Sequence, residues 1–228
     1  NRFKVEHGEI GFLSFMMHLI DDLKQSYHFG TANNYLRTLK SFSAFLDGYN
    51  IGFKLLTSSL IIEYSRYLES RGLLRNSISF YMRNLRAVYN KAVKQGVINY
   101  STNPFQDVYT GVDKTVKRAV QNTVISKLYR ADFTASPHLQ LAKDIFLFSF
   151  FTRGMAFVDI AFLKKSSIQN GVIYYKRRKT NQLLSIRLER GMIDIIKRYS
   201  NNNSQYIFPF LNSDNKDLSY KQYELAIK

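Results

Sequence analysis

Apolar residues recur every three to four positions in four separate runs across the first hundred residues, with glycines and short polar breaks between the runs. That period covers one face of an α-helix and leaves the opposite face to water, so this half of the chain is expected to fold as a small helical bundle. The first helix is expected over about 9–26, with Phe12, Phe15, Met16, Leu19, Ile20 and Leu23 inward. Gly30 is read as a break and Thr31 as the cap of a second helix, whose buried stripe is Tyr35, Leu36, Leu39, Phe42, Phe45 and Leu46. Thr57, Ser58 and Ser59 can cap a third, with Leu60, Ile61, Tyr64, Tyr67 and Leu68 inward before Gly72. Asn76 or Ser77 is expected to open a fourth, in which Ile78, Tyr81, Met82, Leu85, Val88, Tyr89 and Ala92 lead to Gly96.

The periodicity fades from Asn99 to Gln121, where Asn103-Pro104 and Gly111 mark turns and Lys114, Lys117 and Arg118 form a basic strip. The expected organisation is a helical domain over 1–105, a linker over 106–121 and a second domain over 122–228. At about 3.3 Å per residue, such a linker is long enough to cross a duplex while touching phosphates.

The second domain changes class. A short helix is expected near Asn122-Thr123. The run from Pro137 to Thr152 carries Leu141, Ile145, Phe146, Phe148, Phe150 and Phe151 with almost no polar face, which reads as a central core helix. A further helix is expected over Ala156–Leu163. Strand-like runs follow at Gly171–Lys176 and Leu183–Leu188 around the basic turn Arg177-Arg178-Lys179-Thr180-Asn181, and Gly191–Ser200 returns to helix. Tyr206–Pro209 reads as a short extended piece, and Asp217 or Ser219 as the cap of a last helix. The fold class is therefore mainly α with a small β-hairpin or sheet.

Charge narrows the partners. Lys and Arg number 33 against 17 Asp and Glu, a net +16, and both parts are basic: residues 1–105 hold 13 basic and 7 acidic residues, residues 106–228 hold 20 and 10. Such a surplus favours polyanions through counterion release, with nucleic acid foremost. Asn33, Arg37, Lys40 and Ser41 recur along the second helix, and Arg83, Arg86, Asn90 and Lys94 along the fourth, so each helix offers a basic or amide stripe. Without cysteine, and with only His7, His18, His28 and His138, neither a disulfide framework nor a zinc site is expected. No apolar run approaches the roughly 18 residues of a membrane span, and Glu6, Glu9 and Asp21-Asp22 argue against a signal peptide, so a cytoplasmic protein is expected.

The most particular string is Phe150-Phe151-Thr152-Arg153-Gly154-Met155, continuing through Phe157-Val158-Asp159-Ile160-Ala161 to Leu163-Lys164-Lys165. With Gly30-Thr31, the 81–96 helix and Lys117-Arg118-Ala119, it resembles the tyrosine recombinases, and within them the integrases of mobile elements from Bacteroides-type bacteria. The resemblance spans nearly the whole chain. It implies a SAM-like four-helix DNA-binding domain followed by part of a catalytic domain, double-stranded DNA and further recombinase protomers as partners, and no cofactor or metal.

In this family a tyrosine attacks a DNA phosphodiester, leaving a 3′-phosphotyrosyl link and a free 5′-hydroxyl; the ester holds the bond energy. Arginines suit the phosphoryl oxygens, because a planar guanidinium reaches two at once, and a lysine suits the leaving oxygen as general acid. The resemblance implies Arg153 for the first task. Aligning on Asp159 and Leu163 instead puts Ala156 in the arginine slot, with Arg153 entering from about one helical turn earlier. Lys179, followed by Thr180, matches the family's Lys-Thr hairpin, with Lys176, Arg177 and Arg178 beside it as further DNA contacts.

The family's His-x-x-Arg box and nucleophilic tyrosine are expected beyond the residues given, since no histidine follows His138. Tyr220 and Tyr223 are read as packing residues, and the chain as given is expected to bind DNA without cutting it. A metal-dependent integrase is disfavoured because Asp144, Asp159 and Asp194 fall on helical patterns. A non-catalytic helical DNA-binding module explains the charge and helices but not the surroundings of Arg153 and Lys179.

Overall fold

The computed structural model describes residues 10–99, 103–116, 119–200 and 203–211, together with Gln222, Tyr223 and Leu225. The chain forms two compact units, Asn1–Lys117 and Arg118–Lys228.

The first unit contains α1 (Phe12–Gln25), α2 (Phe29–Phe45), α3 (Ser58–Ser70) and α4 (Arg75–Lys94), with a 3-10 turn at Phe53–Leu55. The apolar stripes meet in one core, where Phe12 lies edge-on to Phe42 and Phe53 at centroid distances of 5.9 and 5.3 Å, and Phe42 to Tyr64 at 4.8 Å. Each such side chain contributes about 2 kcal/mol or more by leaving water. α1 has no cap of its own. Asn50 supplies one, its side-chain oxygen accepting from the Leu13 N–H at 2.9 Å, while the Phe12 N–H reaches the Ile51 carbonyl at 2.7 Å. Gly11 is needed for that approach, because a Cβ there would lie 2.3 Å from the Asn50 amide.

Thr57 caps α3 as expected, accepting from the Leu60 N–H. Two other starts differ. α1 turns into α2 at Tyr27, whose φ of 58° closes the turn, so Gly30 and Thr31 lie inside α2 and do not break or cap it. α4 begins at Arg75, with Leu74 at the cap position, because Asn76 is engaged elsewhere: its amide accepts from the Asp113 N–H at 2.7 Å and donates to the Asp113 carbonyl at 3.1 Å.

Residues 103–116, expected to be largely linker, contain no helix or strand but fasten to α4. Phe105 is buried in the core beside Tyr89. The Ser79 hydroxyl donates to the Gly111 carbonyl, and the Arg75 guanidinium lies 3.9 Å from the Tyr109 ring centroid.

The second unit contains α5 (Asn122–Arg130), α6 (Pro137–Phe151), α7 (Phe157–Ala161) and α8 (Arg190–Tyr199), with a sheet of β1 (Ile168–Gln169), β2 (Val172–Lys176) and β3 (Leu183–Arg187). The strands are antiparallel in the order β1-β2-β3, and the β2–β3 register pairs Val172 with Arg187 and Lys176 with Leu183. Ile173, Phe148, Met192, Ile195 and Phe208 fill the core. An antiparallel bridge joins Lys164 to Tyr206 in the segment expected to be extended.

α6 departs from the expectation of a wholly buried helix. Leu139, Phe146 and Phe150 are 55%, 47% and 47% exposed, whereas Gln140 and Asp144 are buried. The inward face is organised around the Asp144 carboxylate, which accepts from Gln140, from the Tyr199 hydroxyl at 2.7 Å and from the Arg198 guanidinium. These bonds tie α6 to α8 and answer the desolvation of the charge. Burial and the bond to Asp144 push the Tyr199 hydroxyl well above its ordinary range.

Of the last expected helix, Asp217, Ser219 and Tyr220 lie outside the described residues. The Tyr223 ring lies tilted against Phe157 and Phe162 at centroid distances of 5.8 and 5.9 Å, a packing position.

Candidate active site

α6 stops in a Schellman turn. The Gly154 N–H returns to the Ser149 carbonyl and the Arg153 N–H to the Phe150 carbonyl, with Arg153 at φ 58° and Gly154 at φ 88°. The first of these positions is usually glycine, since a left-handed conformation costs a residue with a Cβ about 1–2 kcal/mol. An arginine occupies it here. Buried Thr152 fixes the turn by donating to the Phe148 carbonyl at 2.6 Å, and the Ser149 hydroxyl donates to the Met155 carbonyl at 2.9 Å. Held in this way, exposed Arg153 lines an open cleft of about 620 Å³.

Ala156, the other position considered for the arginine slot, caps α7 and lines the same cleft. The hairpin supplies the rest of the lining: Tyr175 from β2, Arg177 just beyond it, and the run Leu184–Glu189 along and just beyond β3. Among the described residues, no hydrogen bond, ion pair or ring contact engages the side chains of Arg153, Arg177 or Arg187. Three arginines without side-chain partners among the described residues thus line one cleft with a single carboxylate, Glu189. Burial raises the Tyr175 hydroxyl above its ordinary range.

The hairpin tip is fixed on one side. Asp159, buried in the first turn of α7, accepts from the Arg178 N–H at 2.9 Å, and the Arg178 guanidinium lies 3.8 Å from the Phe162 ring centroid. Arg178 is therefore committed to the protein. Lys179 follows it at the exposed turn, two residues beyond Arg177 and outside the cleft lining; Lys176 is exposed at the end of β2. The structure brings Arg153 and Arg177 together, and it adds Arg187, which the sequence reading did not single out. Strand alternation could have placed Arg187 on the face opposite Ile186, but not beside Arg153.

In the first unit, Arg37 and Lys40 are exposed on α2, Asn33 is half-buried, and Ser41 accepts from the Tyr64 hydroxyl at 2.8 Å. On α4, Asn90 and Lys94 are exposed, whereas Arg83 donates to the Ser79 carbonyl at 3.4 Å and Arg86 to the Thr110 hydroxyl at 2.9 Å. Lys114 is exposed; Lys117 and Arg118 lie outside the described residues. The described residues contain no group of three or more His, Cys, Asp or Glu placed to hold a metal ion, and no helix long and apolar enough to cross a membrane.

Residues 11–110 match the phage integrase SAM-like domain. The whole chain shares its fold with lambda integrase, in the crystal structure of a tetramer bound to a Holliday junction, at 14% identity and a TM-score of 0.63 over 97% of this chain and 63% of that one. The family match covers residues 11–110, and the likeness to the solved structures extends the shared fold over nearly all of the chain. A lambda integrase dimer bound to a COC′ core site aligns at 16% identity and a TM-score of 0.64, over 94% of this chain and 81% of that one. The Tn1549 transposon integrase in complex with circular intermediate DNA aligns at 16% identity and a TM-score of 0.57, over 95% and 79%. No curated protein sequence matches the chain. The chain spans about three fifths of the lambda integrase chain in the tetramer. Its mainly helical units and small antiparallel sheet share the fold of the lambda integrase structures, with residues 11–110 matching the SAM-like integrase domain.

Proposed function

We propose that this chain is the DNA-binding part and the first portion of the catalytic domain of a site-specific recombinase that cleaves and rejoins duplex DNA through a 3′-phosphotyrosyl intermediate. One observation carries the reading: Arg153 occupies a left-handed position that favours glycine, and from it lines a cleft with two further arginines that have no side-chain partner among the described residues. Backbone strain at a cation facing a concavity is a mark of function.

Arg153 would hold two non-bridging oxygens of the reacting phosphate and stabilise the charge that builds as the tyrosine oxygen adds to phosphorus. Lys179, at the tip of the hairpin that Asp159 fastens, would protonate the departing 5′-oxygen. The phosphodiester becomes a phosphotyrosyl ester of similar energy, so rejoining requires neither nucleotide nor metal. The tyrosine and the second arginine box are assigned to no residue here, and the 228 residues alone would bind DNA without cutting it.

The first unit would grip the duplex through Arg37 and Lys40 on α2 and through Asn90 and Lys94 on α4, with Arg83 and Arg86 closer to the 109–113 strap. Lys114, Lys117 and Arg118 would add further phosphate contacts, and further protomers would assemble on paired DNA sites. The net +16 supports a polyanionic partner.

The test is Arg153→Ala in the intact enzyme carrying its tyrosine. Loss of strand cleavage by at least about a hundredfold, with duplex affinity changed only several-fold, is expected. Cleavage at the wild-type rate would remove Arg153 from the site.

A further inference from the structure

We propose that Arg187 forms a second phosphate subsite in the Arg153 cleft, holding a DNA backbone phosphate that neighbours the reacting one. The proposal rests on the recombinase reading above and adds a residue to which that reading assigns no role. Arg187 pairs across the sheet with Val172 at the end of β3. Its neighbour Ile186 packs against the core, so alternation turns Arg187 away from the core. It lines the cleft with Arg153 and Arg177, and no described side chain neutralises it. Glu189 is the one carboxylate in the lining and leaves that wall with net positive charge.

The backbone adds donors. β3 is the end strand of the sheet, and its bonds to β2 are flanked by the Arg177 N–H to Gln182 carbonyl and Leu188 N–H to Gly171 carbonyl contacts. Antiparallel alternation then turns the N–H groups of Ser185 and Arg187 away from β2, toward the free edge that borders the cleft. A guanidinium, a serine hydroxyl and unpaired N–H groups at one edge suit a phosphodiester, and Arg153 and Arg187 both line the cleft. Two such anchors would fix the direction in which a strand crosses the cleft as well as its contact point.

Affinity of the 228-residue chain for a 30-base-pair duplex, titrated with salt, tests this for wild type, Arg187→Ala, Arg187→Lys and the charge-matched control Lys24→Ala, remote in sequence on α1. Arg187→Ala should weaken binding about tenfold near 0.15 M salt and make the slope of log K against log salt shallower by about 0.9, while Arg187→Lys keeps the slope. Unfolding temperatures should not change, since the side chain makes no hydrogen bond or ion pair among the described residues. Equal effects from Lys24→Ala and Arg187→Ala would mean a bulk-charge effect and overturn the subsite, as would an Arg187→Ala chain that matches wild type in both affinity and slope. Failure of the wild-type chain itself to bind duplex would instead overturn the recombinase reading.

Discussion

In the first unit Arg75 lies over Tyr109 and pairs with Asp113, Arg86 donates to Thr110 and Arg71 to the Tyr67 hydroxyl, whereas in the second Arg153, Arg177 and Arg187 line a cleft with no side-chain partner among the described residues. The same residue type does different work in the two places. A partnered guanidinium fastens one segment to another and leaves little field for a ligand. Unpartnered ones in a concavity repel one another, contribute nothing to the fold, and concentrate positive potential where an anion can enter. The contrast separates arginines that build from arginines that wait for a ligand.

Arg198 marks the boundary, because it belongs to the second unit yet is committed to buried Asp144. Asp144→Ala would strand Gln140, Tyr199 and Arg198 together. A loss of about 3 kcal/mol is expected, read as a lower urea midpoint with an unchanged m-value. A loss below about 1 kcal/mol would place Arg198 with the uncommitted group and blur the comparison.

The next effect is smaller and opposite in sign. Arg153→Gly removes a Cβ from a left-handed position and should stabilise the chain by about 1 kcal/mol, even as it disables cleavage in the intact enzyme. Thermal unfolding of the variant checks this. A destabilised Arg153→Gly would mean that the side chain supports the fold and that Arg153 belongs with Arg75 and Arg86.

The helices of the first unit were legible because each buries a stripe of period 3.6 on a single core. The strands β2 and β3 were legible because their β-branched and aromatic residues flank an evident basic turn. What escaped depends on tertiary partners. Tyr27, not Gly30, supplies the left-handed residue between α1 and α2, which composition does not reveal. The aromatic wealth of α6 suggested burial on every side, but a buried carboxylate claims the inward face and leaves Phe146 and Phe150 outward. β1, two residues long, carries no period at all.

The candidate site divides in the same manner. Arg153 could be picked out by its neighbours in sequence. Arg187 could not, because whether a cation is neutralised is decided by residues far along the chain. The Arg83 and Arg86 stripe has the spacing of a free helix face, and only the return of residues 109–113 shows where Arg86 is engaged.

Cleavage by the intact enzyme of DNA with sulfur in place of the 5′-bridging oxygen distinguishes the two assigned roles in one assay. Sulfur leaves without needing a proton, so Lys179→Ala should regain close to the wild-type rate on this substrate while Arg153→Ala stays inactive. A Lys179→Ala enzyme as defective on sulfur as on oxygen would refute proton delivery from the hairpin, and with it the joint action of Arg153 and Lys179 on one phosphate.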